Sequence, residues 1–243
     1  MRSGLVANDF EYAPVAGYIG RVRGVEETSL PDALLHFDCR NHRLAWRGLR
    51  ADDFDAHVAA AVKRHGADRV GVVVGTSTSG ILTTELGYRR RDPATGRLPA
   101  EVRYEYTHNF GALATFVRES LRLAGPAIAI STACSSSAKA FASAARWIRC
   151  GLVDAVVVGG VDSLCGTTLH GFTSLQLVAP RPCRPFDAER EGISLGEGAA
   201  FALLDRERLD NARGLTLLGY GESSDAHHMS APHPDGLGAE FSM

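Results

Sequence analysis

The chain has 243 residues, 26 basic and 28 acidic, for a formal charge of −2. That length allows one large domain or two small ones, and 45% apolar with 22% charged residues suits a globular chain that buries a core without covalent staples. The charge balance gives no reason to expect a nucleic-acid or membrane-surface partner; the positive side is almost all arginine, Lys63 and Lys139 being the only lysines.

Residues 1 to about 50 show no clean period and read as loop and short irregular elements, with "FDCRNHRLAW" as the most distinctive piece. The first residues, "MRSGLVANDFEYAPVAGY", carry acids and a proline where a signal peptide needs an apolar stretch. No window reaches the roughly eighteen apolar residues of a membrane span, so a cytoplasmic protein is expected. Residues 52 to 65 predict a helix, with Asp52 or Asp53 as cap, Phe54, Val58, Ala61 and Val62 on one face, and Gly66 as the stop. Val70, Val72, Val73 and Val74 form a short continuous apolar run, the pattern of a strand buried on both faces. Residues 88 to 105 are an arginine-rich loop punctuated by Pro93, Gly96 and Pro99.

A second helix is expected over 108 to 123, ended by Gly125 and Pro126. "AIAIS" then predicts a buried strand, and the helix after it spaces Ala138, Phe141, Ala142, Ala145 and Ile148 before Gly151 closes it. "DAVVVGG" is another buried strand. Strand, helix, strand in succession points to an α/β fold with a largely parallel sheet. Near the end, "GEGAAFALLD" and "LTLLGYGESS" predict two more strands, paired as a hairpin at a sheet edge.

Five cysteines, Cys39, Cys134, Cys150, Cys165 and Cys183, are widely spaced, and none lies in a CxxC pair. An odd, dispersed set does not describe a disulfide framework, and a reducing compartment is expected. Cys134 falls at a strand-to-helix junction among Ala133, Ser135, Ser136 and Ser137. A helix N-terminus stabilises a thiolate through unpaired N–H groups and the positive end of the dipole. Small neighbours leave room for a sharp turn and a substrate, so the thiol is a candidate nucleophile toward a thioester, with a backbone N–H for the oxyanion. Two other readings stand beside it. Free cysteine is most often a small buried hydrophobe. The serines here, or "GTSTSG" at 75 to 80, could seat a phosphate, although neither matches a P-loop or a GxGxxG fingerprint.

Three segments together, "STACSSSAKAFASAARWIRCGLVDAVVVGGVDSL", "RPFDAEREGISLGEGAAFALLDRE" and "GESSDAHHMSAPHP", resemble the β-ketoacyl-acyl-carrier-protein synthases, condensing enzymes of fatty-acid and polyketide assembly. "GVVVGTSTSG" also resembles the family's early strand and loop, and the match runs from about residue 30 to the end. Within the family, "FDCRNHRLAW" and "GVDSLC" resemble the aryl-polyene-type branch. The resemblance implies the thiolase fold, here its N-terminal half over residues 1 to 243, with about 1 to 30 irregular. It implies Cys134 as the acyl-accepting nucleophile. It places Phe186, Asp187, Arg190, Gly192 and Glu197 in a segment that supports the active site.

The implied chemistry needs no metal and no cofactor. The implied partners are acyl carrier protein, carrying acyl and malonyl thioesters, and a second subunit in a homodimer or a ketosynthase-like heterodimer, with "AIAIS" as the candidate contact strand. In the family, two catalytic histidines and a lysine lie in later motifs that do not occur in these 243 residues. The chain is therefore expected to be about half a ketosynthase, to lack condensation by itself, and to be a fragment, a truncated gene product or a frameshifted one. A non-catalytic partner of the chain-length-factor kind is the alternative; the intact Cys134 argues against it. A hydrolase or phosphate-binding module has only the generic turn behind it.

His227, His228 and His233 are not promoted to catalysis or zinc, since no cysteine pair completes a metal set; Asp225 is expected to fix a turn. The segment around Glu85, Arg89, Arg90, Arg91, Arg97 and Arg103 reads either as a solvated or dimer-contact loop or as a dock for an acidic carrier protein.

Overall fold

Valine runs without polar alternation need cover on both faces, and a computed structural model describing residues 4–206, 215–228 and 231–243 shows how they get it. Two short strands open the chain, β1 (Leu5–Ala7) and β2 (Tyr18–Gly20), followed by helices α1 (Arg40–Gly48) and α2 (Phe54–His65). Then come β3 (Val70–Gly75), α3 (Ile81–Arg89), α4 (Gly111–Ser120), β4 (Ala127–Ile130) and α5 (Ser136–Arg149). The order continues with β5 (Ala155–Asp162), α6 (Gly166–Ser174), β6 (Leu195–Gly196), β7 (Gly198–Asp205) and α7 (Leu237–Ser242).

The main sheet has the order β4-β3-β5-β7. β3 runs parallel to both β4 and β5, and β7 closes the far side antiparallel to β5. β3 is buried along its whole length, and its side chains divide between two layers. Val70, Val72 and Val74 join Val157 and Val161 of β5 under α1, α2 and α4. Val73 joins Val156 and Val158 under Ala140 and Ala144 of α5. Helix, sheet and helix thus form three layers, the arrangement expected for parallel strands joined by crossover helices. A smaller sheet, β1-β2-β6, sits over a second core of Phe10, Ile19, Leu82, Leu164 and Leu169.

Several expectations are corrected. The stretch read as irregular contains α1, whose buried residues include Arg40, Asn41 and His42 beside Leu44 and Ala45. Three of its five buried residues are polar, so its buried side does not read as an apolar face. Asp52 and Asp53 make no side-chain cap for α2; both sit at positive φ, 54° and 56°. α5 buries Ala140 and Ala144 as well as Ala142 and Ala145, while Ala138 is exposed. Among the described residues β4 is an edge strand paired with β3 alone, and Ile128 is 39% exposed. The second strand of the expected terminal hairpin is absent from the described part of its segment: residues 215–224 carry no strand, and Leu215 and Leu218 are exposed.

Candidate active site

Burial sorts the five thiols. Cys39 and Cys165 are buried, Cys183 is intermediate, and Cys134 and Cys150 are exposed. Burial pushes the Cys39 thiol up to about 12, against backbone N–H groups of His42 and Asn41 that favour its thiolate. Burial also raises the Cys165 thiol. Cys150 closes the far end of α5, where its Sγ donates to Trp147 O. Cys134 lies four residues beyond the end of β4, in the tight turn that feeds α5.

That turn is closed by its own side chains. Ala133 takes a left-handed φ of 53°, the reversal that sends the chain from strand to helix. Ser136 Oγ accepts from Thr132 N at 2.9 Å and donates to Ala133 O at 2.6 Å. Ser135 Oγ donates to Thr132 O at 2.8 Å and lies 3.1 Å from Thr132 Oγ1. Ser135 and Ser136, two of the serines read as a possible phosphate seat, are thus engaged in holding the turn.

The "GTSTSG" loop is likewise occupied from within. Asp162, the last residue of β5, reaches across to it. Its Oδ1 accepts from Ser77 N at 2.7 Å, Thr78 N at 3.0 Å, and the hydroxyls of Thr76 and Thr78, each at 3.0 Å. The anion in that cradle is a carboxylate of the chain itself. Ser77 Oγ lies 3.5 Å from Ala133 O, so the loop borders the cysteine turn. Asp162 escaped the sequence reading because its partners lie some eighty-five positions away and meet it only once β3 and β5 are neighbours.

The residues offered as support separate into two places. Phe186 is fully exposed at a φ of 64°. Asp187 Oδ1 accepts from Glu189 N at 2.7 Å, Asp187 lies 3.6 Å from Arg184, and Arg190 donates to Asp187 O. Gly192 has a φ of 134° and backs onto the carbonyl of Leu177, where a side chain would collide. Glu197 lies elsewhere, with its side chain wholly buried. It accepts from Arg40 Nε at 2.8 Å and Nη2 at 2.6 Å, from Val22 N at 3.0 Å and from Leu164 N at 3.1 Å. Arg40 also binds Glu26, where burial acts to raise the carboxyl but the Arg21 and Arg40 guanidiniums outweigh it and hold it at about 2. Among the described residues, no hydrogen bond or ion pair joins any of these five to the Cys134 turn.

Beside Cys134, a cleft of about 740 Å³ runs between α5 and the C-terminal segment, with Ser135, Lys139, Tyr220, Glu222 and Asp225 in its wall. Glu222 ties the segment to α5 through Lys139 and Arg146. Asp225 does fix a turn, accepting from His227 N at 3.2 Å and His233 N at 2.9 Å, and those bonds hold its carboxyl below the usual range. Among the described residues, no group of three or more potential ligands is placed to hold a metal. In the arginine-rich segment, Arg90 pairs with Glu101 and Arg89 donates to Tyr12 O, while Arg91 and Arg97 are exposed. Glu85 accepts from Gly166 N at 2.8 Å and Thr167 N at 2.6 Å and so caps α6. No described helix is long and apolar enough to cross a membrane.

The family model for the β-ketoacyl synthase N-terminal domain matches residues 43–209, more than half of the chain. Nodulation protein E of Rhizobium meliloti is 39% identical over 169 residues, which cover 68% of this chain and 42% of that protein. The 3-oxoacyl-[acyl-carrier-protein] synthase 2 of Rhizobium meliloti (strain 1021) is 34% identical over 182 residues, 70% of this chain and 43% of that one. Among solved structures, the ketosynthase ApeO in complex with its chain length factor ApeC, from Xenorhabdus doucetiae, superimposes with a TM-score of 0.81 at 36% identity. That match covers 98% of this chain and 57% of the other. The chain therefore spans about half the length of the relatives it matches, and its α/β architecture is the thiolase-like fold of ketosynthases. With the matched domain, the closed cysteine turn and the layered sheet in agreement, the chain belongs to the β-ketoacyl synthase family, within its N-terminal domain.

Proposed function

We propose that this chain performs the acyl-loading half of a 3-oxoacyl-[acyl-carrier-protein] synthase, with Cys134 as nucleophile. The observation that carries the reading is an exposed thiol, in a turn closed by Ser135 and Ser136 at the start of a 14-residue helix, in a chain of this family. The Cys134 thiolate attacks the carbonyl carbon of an acyl thioester on acyl carrier protein. The tetrahedral oxyanion collapses, the carbon–sulfur bond to the carrier breaks, and the carrier thiolate leaves and takes up a proton. In the second step a malonyl thioester loses carbon dioxide, its carbanion attacks the acyl-enzyme carbonyl, and Cys134 leaves as thiolate. That step needs donors for the enolate. By the family resemblance these are two histidines and a lysine in motifs outside these 243 residues, so acyl loading is the step to which the present residues are assigned.

Phe186, Asp187, Arg190, Gly192 and Glu197 are assigned supporting roles. Acyl carrier protein is the proposed macromolecular substrate, in keeping with exposed Arg91 and Arg97. The open edge of β4 favours a second ketosynthase-like subunit as partner, and we place the protein in the cytoplasm. The chain-length-factor reading draws on the solved relative that is a complex of that kind; the retained Cys134 weighs against it. Intact mass after incubation with an acyl-carrier-protein thioester tests the proposal. A gain of one acyl group that vanishes in Cys134→Ala supports it, and no gain in a folded sample overturns it.

A further inference from the structure

The first turn of α5 rests directly on the main sheet, at a point where two glycines face each other across the β3–β5 pair. Gly75 and Gly160 are register partners at the C-terminal ends of those strands. A β-carbon built at Gly75 would stand 2.8 Å from Ser137 N, 2.9 Å from Ser136 C and 3.0 Å from Ser136 Cβ. Backbone atoms lie in the way, and they cannot move without moving the helix. A β-carbon at Gly160 would overlap the Ser137 hydroxyl. With that oxygen removed, the nearest atoms are Gly75 O and Ser137 Cβ, both at 3.4 Å, an ordinary contact. Neither glycine is at positive φ, so backbone conformation does not demand glycine at either position. Space does.

We propose that Gly75 and Gly160 are positioning residues for Cys134: together they form the bare floor on which the first turn of α5 is seated, and this seat sets where the thiol lies relative to the start of the helix. The inference rests on Cys134 being the nucleophile. It explains why the reversal at Ala133 can be so abrupt. Ser136, whose hydroxyl closes the turn, is one of the residues in contact with the floor. Raising the floor by one methyl lifts the helix start away from the end of β4 and disturbs both ends of that link.

The test is a variant cycle read by alkylation of the folded 243-residue chain with iodoacetamide, site by site, by peptide mass. Cys150, exposed at the other end of α5, serves as internal reference, and Cys134→Ala supplies the blank. Gly160→Ala should slow Cys134 about tenfold relative to Cys150, since a helix start displaced by a fraction of an ångström no longer presents the thiol in its reactive geometry. Adding Ser137→Ala should bring the ratio back to within about threefold of the Ser137→Ala single variant, because the removed oxygen is the obstacle. Gly75→Ala should be slowed as well and should not be rescued by Ser137→Ala, its obstacles being backbone and Ser136. A wild-type ratio in Gly160→Ala overturns the proposal. So does a double variant no better than Gly160→Ala, including one in which both fail to show a cooperative melt. A cycle that behaves as expected in a chain that takes up no acyl group refutes the proposed function and leaves the seating argument standing.

Discussion

Three described helices begin beside a cysteine, and of those cysteines Cys134 alone is exposed. Cys39 and Cys165 stand at the N-caps of α1 and α6 in nearly the same extended conformation, with φ of −156° and −150°. Both are buried, and burial raises both thiols. Cys134 stands before α5 in a tight left-handed turn and is exposed. At α6 the first N–H groups are taken by Glu85, an intramolecular anion where a thiolate would otherwise have profited. No described carboxylate is bonded over the start of α5. A helix N-terminus by itself therefore does not make a nucleophile. Desolvation outweighs it at two sites, while the third thiol, in the turn beyond β4, is open to solvent.

The largest expected effect sets the three sites apart outright. Cys134→Ala should abolish acyl loading by intact mass, while Cys39→Ala and Cys165→Ala should load as the parent does. Loading that survives Cys134→Ala would dissolve the distinction.

The next prediction erodes the distinction from the buried side. Glu197 anchors Arg40, next to Cys39, and Leu164 N, next to Cys165. Glu197→Ala leaves Arg40 buried with its main anion gone, at a cost of about 3–5 kcal/mol, read from denaturant or thermal unfolding. Iodoacetamide labelling of Cys39 and Cys165 should rise with it. A loss under about 1 kcal/mol would mean that the pair contributes little beyond its own desolvation.

A third prediction concerns pH. His42 is wholly buried, stacked on Phe116, and its Nδ1 bonds Phe37 O at 2.7 Å. Burial lowers it from the ordinary 6.5 to about 4, against the Phe37 carbonyl and Asp38, which favour the charged form. As pH falls, the unfolded chain takes up this proton before the folded one. The histidine's contribution is complete above about pH 6.5 and is lost progressively down to about pH 4, by roughly 3 kcal/mol in all. His42→Asn, which keeps a donor toward Phe37 O, should flatten that part of the melting-temperature profile. An unchanged slope would assign the acid sensitivity elsewhere. Glu26 acts at lower pH, its contribution being present above the ordinary 4.5 and lost as pH falls through about 2.

The smallest effect is the loss of packing at the buried sites. Cys165→Ala removes one sulfur from a core of Phe10, Ile19, Leu164 and Leu169 and should lower stability by about 1 kcal/mol in chemical denaturation. No measurable loss would mean that burial of Cys165 matters only for its reactivity.

What could be read in advance, and what could not, follows one physical division. The valine runs of β3 and β5, the helix of residues 54–65, the stop at Gly66 and the turn before α5 were all legible. Continuous apolar runs, helical spacing and small or conformationally special residues act within a few positions of themselves. Cys134 was legible for the same reason, its turn being built from Thr132, Ala133, Ser135 and Ser136. α1 was not, because Arg40, Asn41 and His42 are buried for partners elsewhere in the chain: Glu197, Val161 O with Thr78, and a ring stack on Phe116. The edge position of β4, the Asp162 cradle and the glycine floor were hidden too. Each depends on which strand lies beside which, and on how closely a helix approaches the sheet. The sequence by itself determined most of the local elements and singled out Cys134 as the candidate nucleophile. Tertiary structure alone decided which of three helix-start cysteines meets solvent and which carboxylates fill the other anion seats, because burial and close approach are properties of neighbours distant along the chain.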